Sequence, residues 1–207
     1  MTWLRRNRWG LALLPVAVLL AVVASSSRVV HFWYPYGPHD VQSGSVGEQV
    51  HLRQDWQDRS GTYVREVDVT VTSVEPTEVI RDWDGEDVPG KGPEGTRLWR
   101  VALDMKAPTD AVIFGCQLEI VDTEGREFPY STSWIEPGSR KVSPCLNPDE
   151  IGPQPALVDG EAHETETERP ASWSTVADVL LAEDAVPQTV RIWWEHPTVI
   201  EVELPQG

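Results

Sequence analysis

Apolar and polar residues alternate with a period of two along much of the chain beyond residue 48, which predicts strands with one buried face. Val67, Val69 and Val71 alternate with Asp68, Thr70 and Thr72, and Trp99, Val101, Leu103 and Met105 share one face of Leu98–Met105. Val112, Phe114, Cys116, Leu118 and Ile120 form a third apolar face, opposite Ile113, Gln117, Glu119 and Val121. Asp122-Thr123-Glu124-Gly125 reads as a hairpin turn in which glycine supplies the positive φ. Its partner strand runs from Arg126 to about Trp134. An earlier strand is expected near Gln49–Arg53. Later ones are expected at Gln188–Trp194 and Thr198–Leu204, bounded by Pro187, Pro197 and Pro205 as strands commonly are. Trp173–Leu181 fits a strand or a short helix, because Val176, Val179 and Leu180 also suit a 3.6-residue period. Seven to nine short strands separated by turns predict an all-β fold, an antiparallel β-sandwich.

Two stretches break the spacing. Arg81–Gly95 is rich in Gly, Pro and Asp and predicts a long surface loop; Pro148–Pro170 holds Glu161, Glu164, Glu166 and Glu168 with little apolar content and predicts a second. No internal repeat is visible.

The N-terminus has a different pattern. Arg5, Arg6 and Arg8 precede an uncharged apolar run from Trp9 to Ala24, followed by three serines. A basic segment before an apolar one is the order of an export signal. It also approaches the minimum for a membrane anchor, since about 17–19 helical residues span roughly 26–28 Å of a ~30 Å hydrocarbon core. Two readings follow, a signal cleaved near Ala24 or a retained transmembrane helix. Val22-Val23-Ala24 and the serines suit cleavage. The aromatic run Phe32–Tyr36 suits retention, because such rings prefer the membrane interface. Retention is favoured. The expected layout is a cytoplasmic basic tail at 1–8, a transmembrane signal-anchor helix at 9–27, a juxtamembrane linker at 28–47 and a sandwich at 48–207. The arginine bias places the N-terminus inside and the domain outside the cell, or secreted if the signal is cleaved.

Charge narrows the partners. Of 17 Lys+Arg, four (Arg5, Arg6, Arg8, Arg28) precede residue 29, which leaves 13 against 33 Asp+Glu and a net charge of −20 for the rest. Such a field repels nucleic acid, so nucleic-acid binding is not expected. Cys116 and Cys145 are the whole thiol inventory, and outside the cytoplasm an isolated pair predicts a disulfide tying a mid-strand position to the run after the hairpin.

The order of motifs, a Val-rich strand, a long loop, RLWRVALDMKA, CQLEIVDTEGREF, VLLAEDAVPQTVRIWWE and an edge strand TVIEVELP, resembles the DUF4352-type immunoglobulin-like domains found behind signal peptides or lipoprotein anchors in Gram-positive bacteria. It is also similar to the MPT63-type secreted antigen fold. The resemblance spans about residues 48–204. It implies an immunoglobulin-like sandwich with an extracytoplasmic address, and carries no catalytic residues to transfer. No lipobox cysteine stands near residue 24, so a lipid anchor is not expected.

Candidate chemistry is sparse. Asp82, Asp84 and Asp87, set around Gly85, offer hard oxygen ligands to a weakly held Ca²⁺. Against that, the tenth and twelfth positions counted from Asp82 are Lys91 and Pro93, where an EF-hand ends in glutamate. An acidic turn in a solvated loop is the plainer reading. Histidines 31, 39, 51, 163 and 196 make no ligand pair at i+2 or i+4. No GxSxG, SxxK or HExxH occurs, so an enzyme is not expected. Of ten tryptophans, Trp99 and Trp194 fall on apolar faces, whereas Trp83 and Trp134 fall in or beside loops and are candidate contact residues for a partner. The expected role is a tethered, non-enzymatic interaction module that meets another membrane or cell-surface protein. A ligand- or Ca²⁺-binding sensor using the 81–95 loop is the alternative.

Overall fold

The valine-rich alternation becomes the core of two packed sheets. The structure, a computed structural model, describes residues 3, 6–28, 37–82, 84–131, 133, 135, 143–156 and 167–205. The aromatic run 32–36, Trp83, Trp134, His31, His163 and the glutamates at 161–166 therefore lie outside the described residues.

Two units are present, Met1–Pro38 and His39–Gly207. The first carries one helix, α1, at Arg8–Arg28, with Pro15 inside it. Its window Arg8–Ser26 has a mean hydropathy of 2.1 and none of it is buried within the protein. A helix with that length and composition can cross a membrane.

The second unit is all strand. One sheet runs in the order β1 (Asp40–Ser45), β11 (Thr198–Glu203), β10 (Pro187–Trp193), β7 (Gln117–Asp122) and β8 (Glu127–Pro129). The other runs β2 (Gln49–Gln57), β3 (Thr62–Thr77), β6 (Thr96–Lys106) and β9 (Ser172–Ala182). Leu52, Val67, Val69, Val71, Val101 and Leu103 meet Leu118, Ile120, Val190, Ile192, Ile200 and Val202 in one buried cluster between the sheets. The order β3-β6-β9 facing β8-β7-β10-β11 is the A-B-E and C′-C-F-G arrangement of an immunoglobulin-like sandwich. β1 and β2 are N-terminal additions, one on each sheet.

Several expectations are corrected. The sandwich starts at His39 rather than 48, because residues 40–45, expected as linker, form β1 and pair with β11. That pairing is parallel, so the fold is not wholly antiparallel. Hence Thr198–Glu203 is an interior strand and not an edge. Trp173–Leu181 is strand, lying within β9. β7 begins only at Gln117, since Gly115 at φ 87° takes a left-handed conformation that ends the alternation. Cys116 thus stands at the mouth of the strand and not within it. Val112 and Ile113, expected on opposite faces, are both buried. The partner strand β8 has three residues, and the Tyr130 N–H still bonds to Leu118 O at 2.7 Å.

The loop 81–95 is also more ordered than its composition predicts. Val79–Arg81 (β4) and Asp87–Pro89 (β5) pair as a two-stranded ribbon. Ile80 and Val88 pack on Leu98, Leu180 and Ile135, covering the Leu98 and Leu180 end of the face of β6 and β9 that looks away from the main core. Trp99 joins Val101, Leu103 and Met105 on the inner face as expected, but only half-buried.

Candidate functional site

The ribbon and the sheet beneath it build an open polar surface. A polar ion cluster locks the ribbon to the sheet. The Arg100 guanidinium donates to both Asp178 oxygens, at 2.7 and 3.1 Å, and pairs with Asp87 at 3.0 Å. The Arg81 Nε lies 3.1 Å from the same Asp87 oxygen, and the Arg81 backbone N–H donates to Asp178 at 2.6 Å. Burial alone lowers the Arg100 pKa, but the Asp178 and Asp87 carboxylates outweigh it and hold the guanidinium above its ordinary value.

Beside the ribbon lies an open groove of about 520 Å³. Its floor is the outer face of β3, β6 and β9, made of Thr72, Ala102, Asp104, Ser174 and Val176. One wall is the ribbon turn with Arg81, Asp84 and Gly85; the other is the 147–150 turn with Asn147, Asp149 and Glu150. Asn147 fixes that second wall by donating to Glu150 at 2.9 Å and to Ser174 O at 3.1 Å. The Ser174 hydroxyl donates to Asp104 at 2.6 Å. The groove thus carries four carboxylates against one guanidinium.

The three predicted calcium ligands are not brought together. Asp82 Oδ1 accepts the backbone N–H groups of Asp84 and Glu86 at 3.0 and 2.9 Å and so shapes the turn. Asp87 is held by two arginines, and Asp84 alone of the three lines the groove. Among the described residues no group of three His, Cys, Asp or Glu side chains can hold a metal ion.

Cys116 and Cys145 form the expected disulfide, with Cα atoms 6.1 Å apart. It joins the start of β7 to the connection between β8 and β9. The Trp173 indole N–H donates to Cys145 O at 2.8 Å. Trp194, predicted as core, donates to Ile113 O at 2.8 Å.

Sequence reasoning missed two buried arginines at this end of the sandwich. Arg65 is 3% exposed and donates to Val112 O at 2.9 Å and to Gln54 at 3.2 Å. Its guanidinium lies 4.9 Å from the Trp56 ring centroid and 5.7 Å from that of Trp194. Burial pushes its pKa down to about 10, with the Glu195 carboxylate opposing. Arg169, also 3% exposed, sits 4.4 Å over Trp173 and donates to Pro108 O at 2.6 Å and Ala111 O at 3.1 Å. Burial lowers its pKa too, against the attraction of Asp110. Together with Trp194 they hold four carbonyls of the 108–113 connection. These arginines are positioning groups of the fold. The period-2 phase did contain the signal for Arg65, which shares the inward parity of Val67, Val69 and Val71.

No family profile and no curated protein matches the chain. Among solved structures, the chain is similar to an uncharacterized β-sandwich protein from Clostridium difficile 630, at 8% identity and a TM-score of 0.38, covering 79% of this chain and 94% of that one. The assignment as a sandwich rests on the sheets described above.

Proposed function

We propose that the protein is a single-pass membrane protein, N-terminus inside, whose extracytoplasmic immunoglobulin-like sandwich acts as a non-enzymatic interaction module for a membrane or cell-surface partner. The observation that carries this reading is α1, an uncharged apolar span behind three arginines and ahead of one sandwich with its own closed core. Both loop insertions contribute to the groove walls, which supports the outer face of the β2-β3-β6-β9 sheet as a contact surface. Its carboxylates suit a basic segment of a partner. The hydrogen-bonded engagement of Asp104, Glu150, Asp82 and Asp87 favours a fixed recognition surface over a cation sensor.

Retention of the helix is tested by fractionating cells that express the full chain. After an alkaline carbonate wash, a band at 23.2 kDa is expected in the membrane pellet. A shortened chain in the wash or the medium would show that the segment is a cleaved signal.

A further inference from the structure

Among the described residues the outer edge of β2 has no strand partner, and it is built for pairing with one. β2 is the last strand of its sheet. It runs nine residues without proline or bulge, in register with β3 throughout. Natural edges are blunted by shortness, bulges, proline or charged side chains; this one has no shortening, bulge or proline, and its exposed His51, Arg53 and Asp55 are of both signs. Its burial alternates without a break: Val50, Leu52, Gln54 and Trp56 face the core, and the odd residues face out.

The backbone phase follows from the hairpin. The Asp58 N–H donates to Gly61 O at 3.1 Å, and bonded and non-bonded pairs alternate in an antiparallel ladder. Residues 49, 51, 53, 55 and 57 therefore direct their N–H and C=O groups away from β3, toward the open edge. The same five residues carry the exposed side chains.

We infer that β2 pairs antiparallel with β2 of a second copy of this chain, about a two-fold axis at Arg53, to make one continuous eight-stranded sheet. The interaction-module reading underlies this inference, which names the partner as the chain itself. The side chains on this edge complement themselves in that register. Gln49 falls opposite the partner's Gln57, and His51 falls opposite the partner's Asp55, each pair occurring twice. His51 already lies 2.7 Å from Asp68 on β3, so each histidine stands between two carboxylates. Arg53 meets its own copy, but each Arg53 is paired with Glu66 of its own β3. The central row then reads Glu-Arg-Arg-Glu and is neutral. All five edge residues pair in this register, whereas an axis shifted to His51 or Asp55 leaves part of the strand unpaired. A two-fold axis gives a closed dimer and not a filament. Confinement in a membrane plane raises the effective concentration for such a contact.

Cysteine cross-linking of the full chain in native membranes tests this. Opposed residues of a bonded antiparallel pair lie about 5.5 Å apart between Cα atoms, within disulfide reach. Arg53→Cys is expected to give a covalent dimer on mild oxidation, whereas Thr70→Cys, on the adjacent strand, gives none. Asp55→Lys, added to Arg53→Cys, should lower the yield by about tenfold, and His51→Glu together with Asp68→Asn, which spares the new glutamate a carboxylate neighbour on β3, should restore it. All these positions are on the outward face, so the fold is retained. No dimer from Arg53→Cys, or equal yields from Arg53→Cys and Thr70→Cys, overturns the pairing. The yield is read in membrane and soluble fractions separately, so loss of the tether and loss of the dimer are distinct results.

Discussion

Two carboxylates show how placement on a sheet divides residues that look alike in sequence. Asp122 is fully buried, yet its Oδ1 accepts the N–H groups of Glu124 and Arg126 at 3.0 and 2.8 Å, and Oδ2 takes the Arg126 guanidinium at 2.7 Å. Burial raises its pKa, and these donors more than reverse that, leaving the carboxyl below its ordinary value. Glu119 shares Arg191 with Glu127 and Glu201, at 3.2, 3.0 and 2.7 Å. Burial raises its pKa, the Arg191 hydrogen bond opposes, and repulsion from Glu127 adds to the rise. A raised folded pKa gives a contribution that is full below the unfolded value and lost as pH rises through the folded one. Glu119→Gln is therefore expected to melt higher than the parent at pH 7, with the two curves converging below the ordinary value of 4.5. A variant that melts lower at pH 7 would contradict this account of the cluster. The Asp122 turn was legible in DTEG, with Gly125 at φ 78° as expected. The sharing of one arginine by three glutamates was not, because it joins strands β7, β8, β10 and β11, far apart in the chain.

At the scale of elements, strands with clean alternation were readable and those fixed by tertiary pairing were not. β3, β6 and β10 follow from their parity. β1, with the sequence DVQSGS, has almost no apolar content; it is a strand because β11 offers it a parallel partner. The ribbon was hidden for a similar reason. Its Gly, Pro and Asp content describes a loop; among the described residues Ile80 and Val88 hold it down, together with the Arg100, Asp178 and Asp87 cluster. Asp178 is 4% exposed, so removing it leaves a half-buried guanidinium without its main partner. Asp178→Ala is expected to cost about 3–5 kcal/mol, while the double change Arg100→Met with Asp178→Leu recovers most of that. Urea unfolding of the single and double variants checks it. An equal loss in both would mean that the ribbon depends on apolar packing alone.

For the whole molecule, fold class, disulfide and apolar helix were legible because each rests on a strong local signal: alternation, an isolated cysteine pair, an uncharged run. The groove was not legible. Asp104, Asn147, Glu150 and Ser174 come from three separated segments, and nothing in their spacing links them. The predicted calcium ligands failed to converge for the complementary reason, that residues close in sequence took different partners: Asp82 the backbone of its own turn, Asp87 the guanidinium groups of Arg81 and Arg100. What remains central is the address of the sandwich. Full-length chain carrying an epitope at each end, expressed in its membrane and exposed to external protease on intact cells, measures it directly. The account predicts loss of the C-terminal epitope together with survival of a short membrane-bound fragment bearing the N-terminal one. Protection of the C-terminal epitope until the membrane is opened would contradict it.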